Sequence, residues 1–135
     1  MGMHINHVTF DCGDARALAG FWSTLTGWHL WYDDDPEVVV APTFPHDGTG
    51  LLFIPVPESK TAKNRVHLDL QPEGMTRDEA VELALANGAT LIGDFRKEDG
   101  SGWVTLADPE GNEFCIERSK AEQGSAKPRR FKLGE

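Results

Sequence analysis

The sequence repeats itself, and a chain that does so is read first as two copies of one supersecondary unit. His7-Val8-Thr9-Phe10 reads as a short alternating strand, followed by a helical segment and Gly27. His67-Leu68-Asp69-Leu70 reads as a second such strand, followed by another helical segment and Gly88. The interval from histidine to glycine is 20 residues in the first half and 21 in the second, and the two histidines stand 60 apart. The agreement of three spacings points to duplication.

The helices have their own signals. Asp14 can cap the first, expected over about 14–26, where Leu18, Phe21, Trp22 and Leu25 form one apolar face and Gly27 ends it. The second opens on Thr76-Arg77-Asp78-Glu79, a capping box, and should bury Ala80, Val81, Ala84 and Leu85 before Asn87-Gly88 closes it. Between and after the helices, apolar alternation marks strands at 28–32, 37–41, 51–56, 90–95, 102–107 and 112–117. Asp33-Asp34-Asp35-Pro36 and the run from Lys97 to Gly102 carry turn chemistry.

Each half is therefore βαβββ. The expected fold class is α+β: two repeated modules, about 4–58 and 64–119, forming a curled eight-stranded cup with helices outside. Residues 1–119 make the domain. Residues 120–135 form a polar, basic tail expected to be flexible.

Net charge of −9 argues against nucleic acid as a partner, since phosphate contacts need clustered Lys and Arg. No apolar run approaches the roughly 20 residues that span a bilayer, so no membrane role is expected. No secretory signal is visible, which makes a cytoplasmic location the expectation. Cys12 and Cys115 form no disulfide framework or zinc spacing. Strand parity places them on opposite faces, unpaired.

Strand alternation then sorts the candidates. Val8, Phe10, Val66, Leu68, Leu70, Phe114 and Ile116 should pack beneath the helices. His7, Thr9, Asp11, Arg65, His67, Asp69, Glu113, Cys115 and Glu117 should share the helix-free face, and by the repeat Ile54 corresponds to Cys115. Buried polar groups need partners, so such a row points to internal pairing or to a ligand.

The segments His7-Val-Thr-Phe, Phe21-Trp22 with Leu25-Thr26-Gly27-Trp28, and Asp108-Pro109-Glu110-Gly111-Asn112-Glu113-Phe114-Cys115 resemble the vicinal oxygen chelate superfamily. Its members include glyoxalase I, extradiol dioxygenases, and fosfomycin and bleomycin resistance proteins. Lys63-Asn64-Arg65-Val66-His67-Leu68-Asp69-Leu70 further resembles a bacterial glyoxalase-like subfamily. The resemblance implies a cup that holds its ligand inside, and a homodimer. In metal-using relatives it implies ligands from the first, fourth, fifth and eighth strands, which carry His7, Ile54, His67 and Cys115 here. Cys115 stands where a carboxylate is expected.

The function expected is binding of a small, partly apolar organic molecule, with or without metal-independent acid–base chemistry by His67 and Asp69. His7, Thr9, Ile54, Arg65, Trp103, Cys115 and Glu117 are the ligand-binding candidates, and Trp31 is a further wall residue. No resident cofactor is expected. The alternative is a metal-dependent lyase, isomerase or dioxygenase using His7, His67 and Glu117 with Fe, Mn or Zn. Otherwise little or no metal is expected, with zinc the exception to watch because Cys115 is a possible soft ligand.

Overall fold

Asp14 and Gly27 bound the first helix as their chemistry requires. In the computed structural model, which describes residues 1–32, 35–45 and 47–124, the Asp14 carboxylate accepts the Ala17 amide at 3.1 Å. Gly27 takes a left-handed φ of 72° and donates its amide to the Ser23 carbonyl. This helix, α1 (Ala15–Thr26), follows β1 (His7–Cys12) and buries Leu18, Phe21 and Trp22. Strands β2 (His29–Tyr32), β3 (Val38–Ala41) and β4 (Gly50–Pro55) complete the first half. The second half repeats the order: β5 (Leu68–Leu70), α2 (Arg77–Ala86), β6 (Thr90–Asp94), β7 (Trp103–Ala107) and β8 (Glu113–Glu117). The strand bounds agree with the sequence pattern to within two residues.

The eight strands form two four-stranded sheets, ordered β1-β4-β3-β2 and β5-β8-β7-β6. In each half the first and last strands lie side by side and parallel, and the remaining pairs are antiparallel. Alternation sets which side of a sheet is covered. Val38, Val40, Leu51 and Phe53 are buried in one sheet, and Val104, Leu106, Phe114 and Ile116 in the other. Helix α1 packs on β3 and β4, and α2 packs on β8.

The halves share one core. Phe114 of β8 lies edge-on to Phe21 and Trp22 of α1, with ring centroids 6.0 and 5.0 Å apart. The Trp22 Nε1–H donates to the buried Asp108 carboxylate at 3.0 Å. Asp108 also accepts the Glu110 and Asn112 amides, which closes the turn between β7 and β8. Glu110 reaches back to accept the amides of Gly13 at 2.6 Å and Asp14 at 2.9 Å, ahead of α1. The Asp-Pro-Glu-Gly-Asn segment is thus a clamp between the halves.

Three expectations need correction. Leu85 is exposed, because α2 instead buries Arg77 along with Ala80 and Ala84. The Arg77 guanidinium lies under the connection between β6 and β7, donating to the carbonyls of Gly100 at 2.9 Å and Gly102 at 3.0 Å. Val66 is 76% exposed, since β5 begins only at Leu68 and the alternation has not yet started. The tail opens with a short helix, α3 (Lys120–Gln123), under a Ser119–Glu122 capping box. Glu122 also accepts the Arg77 amide at 2.7 Å, so this turn is docked on α2. The rest of the expected flexible tail, 125–135, lies outside the described residues, as do two of the three aspartates of the 33–36 turn.

Candidate functional site

Strands β1 and β5 are both sheet edges. Between them lies a cavity of about 510 Å³. Its apolar lining includes Val8, Phe10 and Leu68, with the buried rings of Trp22 and Phe114 behind them, and its polar lining includes Thr9 and Asp11 of β1 and His67 just before β5. The linker between the halves, including Glu58, Lys60 and Asn64, supplies one wall. This linker is tied to β8: Glu113 accepts the Asn64 amide at 2.9 Å and pairs with the Lys60 ammonium at 3.3 Å. Burial works against the Glu113 charge, but the Asn64 amide and Lys60 outweigh it and hold the carboxyl below its usual range.

Beside the cavity, three side chains converge. His67 and Asp69 are two residues apart and so face the same way, with Nδ1 3.0 Å from Oδ1. Cys115 is the direct cross-strand partner of Asp69 in the β5–β8 register, and its Sγ lies 3.9 Å from His67 Nδ1. The donor atoms of the three fall within 4.8 Å of one another. The Thr105 hydroxyl, from the neighbouring β7, lies 3.5 Å from the Cys115 sulfur.

The structure brings together only some of the residues singled out in the sequence. His67, Asp69 and Cys115 form the group above. Thr9 lines the cavity with His67. His7 is half-buried at the start of β1, its Nδ1 3.2 Å from the Asn6 side-chain amide. Among the described residues, neither it nor Glu117 joins a group of three metal-type donors. Glu117 is exposed and sits opposite Trp103 in the ladder. Trp103 is exposed with its ring 5.6 Å from Phe95, and Trp31 is exposed with its ring 6.1 Å from Phe44. Arg65 is exposed ahead of β5.

The match of Ile54 to Cys115 is corrected by the pairing. Thr9 faces Leu52 across β1–β4, whereas Asp69 faces Cys115 across β5–β8, so Leu52 is the counterpart of Cys115 and Ile54 that of Glu117. Extra residues in the second half, including a bulge between Leu91 and Gly93, displace the count. Thr105 and the linker residues Lys60 and Asn64 escaped the sequence reading. Their roles depend on cross-strand neighbours, and a strand's own period does not reveal these.

Both cysteines are free and buried. Burial pushes the Cys12 thiol up to about 11, aided by the carboxylates of Glu110, Asp11, Asp14 and Asp108. Burial also raises Cys115, with Asp69 and Glu117 adding to it and the Thr105 hydroxyl opposing it. Since the thiolate is the nucleophile, neither should react with iodoacetamide at neutral pH in the folded protein, while both label in denaturant. Intact mass measured against time checks this, and rapid modification of Cys115 in the native state would contradict it.

The metal set implied by the resemblance does not fit these residues. Of His7, Ile54, His67 and Cys115, one is aliphatic. Leu52, which takes the place of Ile54 in the corrected register, offers no donor either. The alternative set of His7, His67 and Glu117 is not assembled among the described residues.

Residues 7–117 match the family model described as a glyoxalase-like domain. No curated protein matches the sequence. Solved structures share the fold at low identity. A glyoxalase/bleomycin resistance/dioxygenase family enzyme from Burkholderia phytofirmans is 20% identical, covers 85% of this chain and 98% of its own, and gives a TM-score of 0.63. The fosfomycin resistance protein FosX from Mesorhizobium loti is 13% identical, with coverage of 87% and 92% and a TM-score of 0.67. A variant of FosX from Listeria monocytogenes, complexed with Mn(II) and a dihydroxypropylphosphonic acid, is 16% identical, with coverage of 91% and 95% and a TM-score of 0.67. No helix among the described residues is long and apolar enough to cross a membrane.

Proposed function

We propose, starting from the fact that the chain belongs to the glyoxalase-like domain family, that it binds a small, partly apolar organic molecule in the seam between its two halves. The observation that carries this reading is the cavity itself. An apolar lining with a few placed polar groups is the composition by which proteins hold such molecules. Val8, Phe10 and Leu68, partly buried along the seam, take the apolar part, and Thr9, Asn64 and His67 take its oxygen functions. In the tautomer that donates Nδ1–H to Asp69, His67 keeps Nε2 to accept a proton from the ligand, and the carboxylate stabilises the imidazolium that results. His67 is the acid–base group in this reading and Asp69 positions it.

The wall charges select the ligand's own charge. Among the described residues lining the cavity, Asp11, Glu58 and Glu113 stand against one ammonium, Lys60, which is already paired with Glu113. A dianionic phosphonate meets net repulsion there. Neutral or cationic oxygenated molecules should therefore bind at least about tenfold more tightly than a phosphonate of equal size, a difference of about 1.4 kcal/mol.

Ligand-observed NMR with small oxygenated aromatics of each charge, followed by amide shift mapping, tests the proposal. The expected result is perturbation centred on Thr9, Asn64, His67 and Asn112, with binding lost in Thr9→Trp, which fills the seam. Shifts confined to the Trp31–Phe44 surface, or unchanged binding in Thr9→Trp, would overturn it.

A further inference from the structure

We propose that the second half alone carries a site for a soft divalent ion of the zinc class, with His67, Asp69 and Cys115 as its three protein ligands. This departs from the four-strand arrangement implied by the resemblance, because every donor lies on or beside the parallel pair β5–β8 and the first half contributes none. It stands on the donor geometry, and it assigns His67 and Asp69 to an ion in place of the acid–base pairing above.

The backbone sets the geometry. Asp69 follows His67 by two residues, so their side chains leave the strand on one side. Cys115 is directly opposite Asp69 in the ladder. His67 Nδ1 stands 3.0 Å from Asp69 Oδ1 and 3.9 Å from Cys115 Sγ, on either side of what a tetrahedral ion imposes, and all three donors lie within 4.8 Å of one another. Bonds of roughly 2.0–2.3 Å to nitrogen, oxygen and sulfur hold neighbouring ligand atoms about 3.3–3.7 Å apart. Closing around an ion thus needs only small rotations of two side chains. His67 and Asp69 are free to make them, their side chains being 44% and 51% exposed, while the thiol is fixed at the buried end.

The duplication serves as an internal comparison. The corresponding positions of the first half are His7, Thr9 and Leu52. The same framework therefore does not demand a carboxylate or a thiol at these points, and only the second half has both. Thr105, 3.5 Å from the sulfur, can donate its hydroxyl hydrogen to a bound thiolate, the outer support that metal ligands usually have. Three protein ligands with two of them exposed leave a fourth position open to an exogenous molecule, the pattern of reactive rather than structural zinc sites. Sulfur and imidazole favour zinc or cobalt over magnesium, calcium or manganese.

Calorimetric titration of the full chain with Zn²⁺, after chelator treatment and dialysis, tests this. Wild type should bind one ion per chain, and Cys115→Ser and Asp69→Asn should each weaken binding, the former on the order of a hundredfold, as expected when the soft ligand is lost. Cys12→Ala and His7→Ala should bind as wild type. With Co²⁺, wild type and Cys12→Ala should show a sulfur-to-cobalt charge-transfer band that Cys115→Ser lacks. Asp69 is exposed, so its replacement should leave the fold intact, and circular dichroism checks this for each variant. No binding by wild type, binding unaffected by Cys115→Ser, or binding abolished by His7→Ala would overturn the proposal. An ion on Nδ1 and the carboxylate excludes the tautomer in which His67 donates to Asp69, so zinc binding would replace that acid–base role. Binding of organic molecules in the seam is read separately by the shift mapping.

Discussion

Replacing Phe114 with alanine is expected to lower the unfolding free energy by about 3–5 kcal/mol, the usual cost of deleting a fully buried phenyl ring. Phe114 is 0% exposed and touches the rings of Phe21 and Trp22, which belong to the other half. A domain of this size has only about 5–15 kcal/mol in total, so the loss takes a large share of the margin. It also removes the one ring that joins β8 to α1. Denaturant unfolding followed by far-UV circular dichroism and by tryptophan emission should show a single, earlier transition for both signals, because Trp22 and Trp28 lie in the first half and Trp103 in the second. Two separated transitions would show that the halves are independent units and that the shared core is not what holds them together.

Asp108→Ala is expected to cost about 3 kcal/mol. It leaves the Trp22 indole N–H buried without an acceptor and frees the Glu110 and Asn112 amides of the turn, and groups stranded in this way each cost about 1–3 kcal/mol. The melting temperature should fall by roughly 10 °C. Asp108→Asn should retain Oδ1 for the turn amides and lose the acceptor that faces Trp22, a loss of about 1–2 kcal/mol. A double-mutant cycle with Trp22→Phe isolates that bond. If Asp108→Ala came within about 0.5 kcal/mol of wild type, the range of ordinary surface changes, the clamp would be incidental to stability.

The parts of this fold that were legible from sequence are those governed by local chemistry. Asp14 and the Thr76–Glu79 box cap helices through their own neighbours, and period-two alternation exposes which strand residues are covered, so the βαβββ repeat and most of the core could be read directly. The site was legible only in fragments. His67 and Asp69 are two residues apart on one strand, and alternation alone puts them on one face. That Cys115 meets them depends on the β5–β8 register, and register follows from turn lengths and a bulge near Ile92 that no periodicity discloses. The burial of Arg77 was hidden for a related reason. An arginine at a helix start reads as a solvated charge until the carbonyls of Gly100 and Gly102 are seen to be waiting for it. The Asp108 turn was read as a mark of kinship, and its residues prove to be structural.

The clamp has a consequence for how the protein is made. Synthesis is vectorial, and Gly13, Asp14 and Trp22 leave the ribosome long before Asp108, Glu110 and Phe114 do. Until then the nascent first half holds two backbone amides and an indole without their acceptors, and an aromatic face without its lid. It has nothing of its own to complete them, so the growing chain cannot bank a finished N-terminal module in the way that multidomain proteins commonly do. Folding waits for almost the entire sequence, and the closing contacts join residues 86 and 97 positions apart, a separation that slows the search. A polypeptide stopped before the final strand should therefore behave as an aggregation-prone fragment rather than as half of a protein.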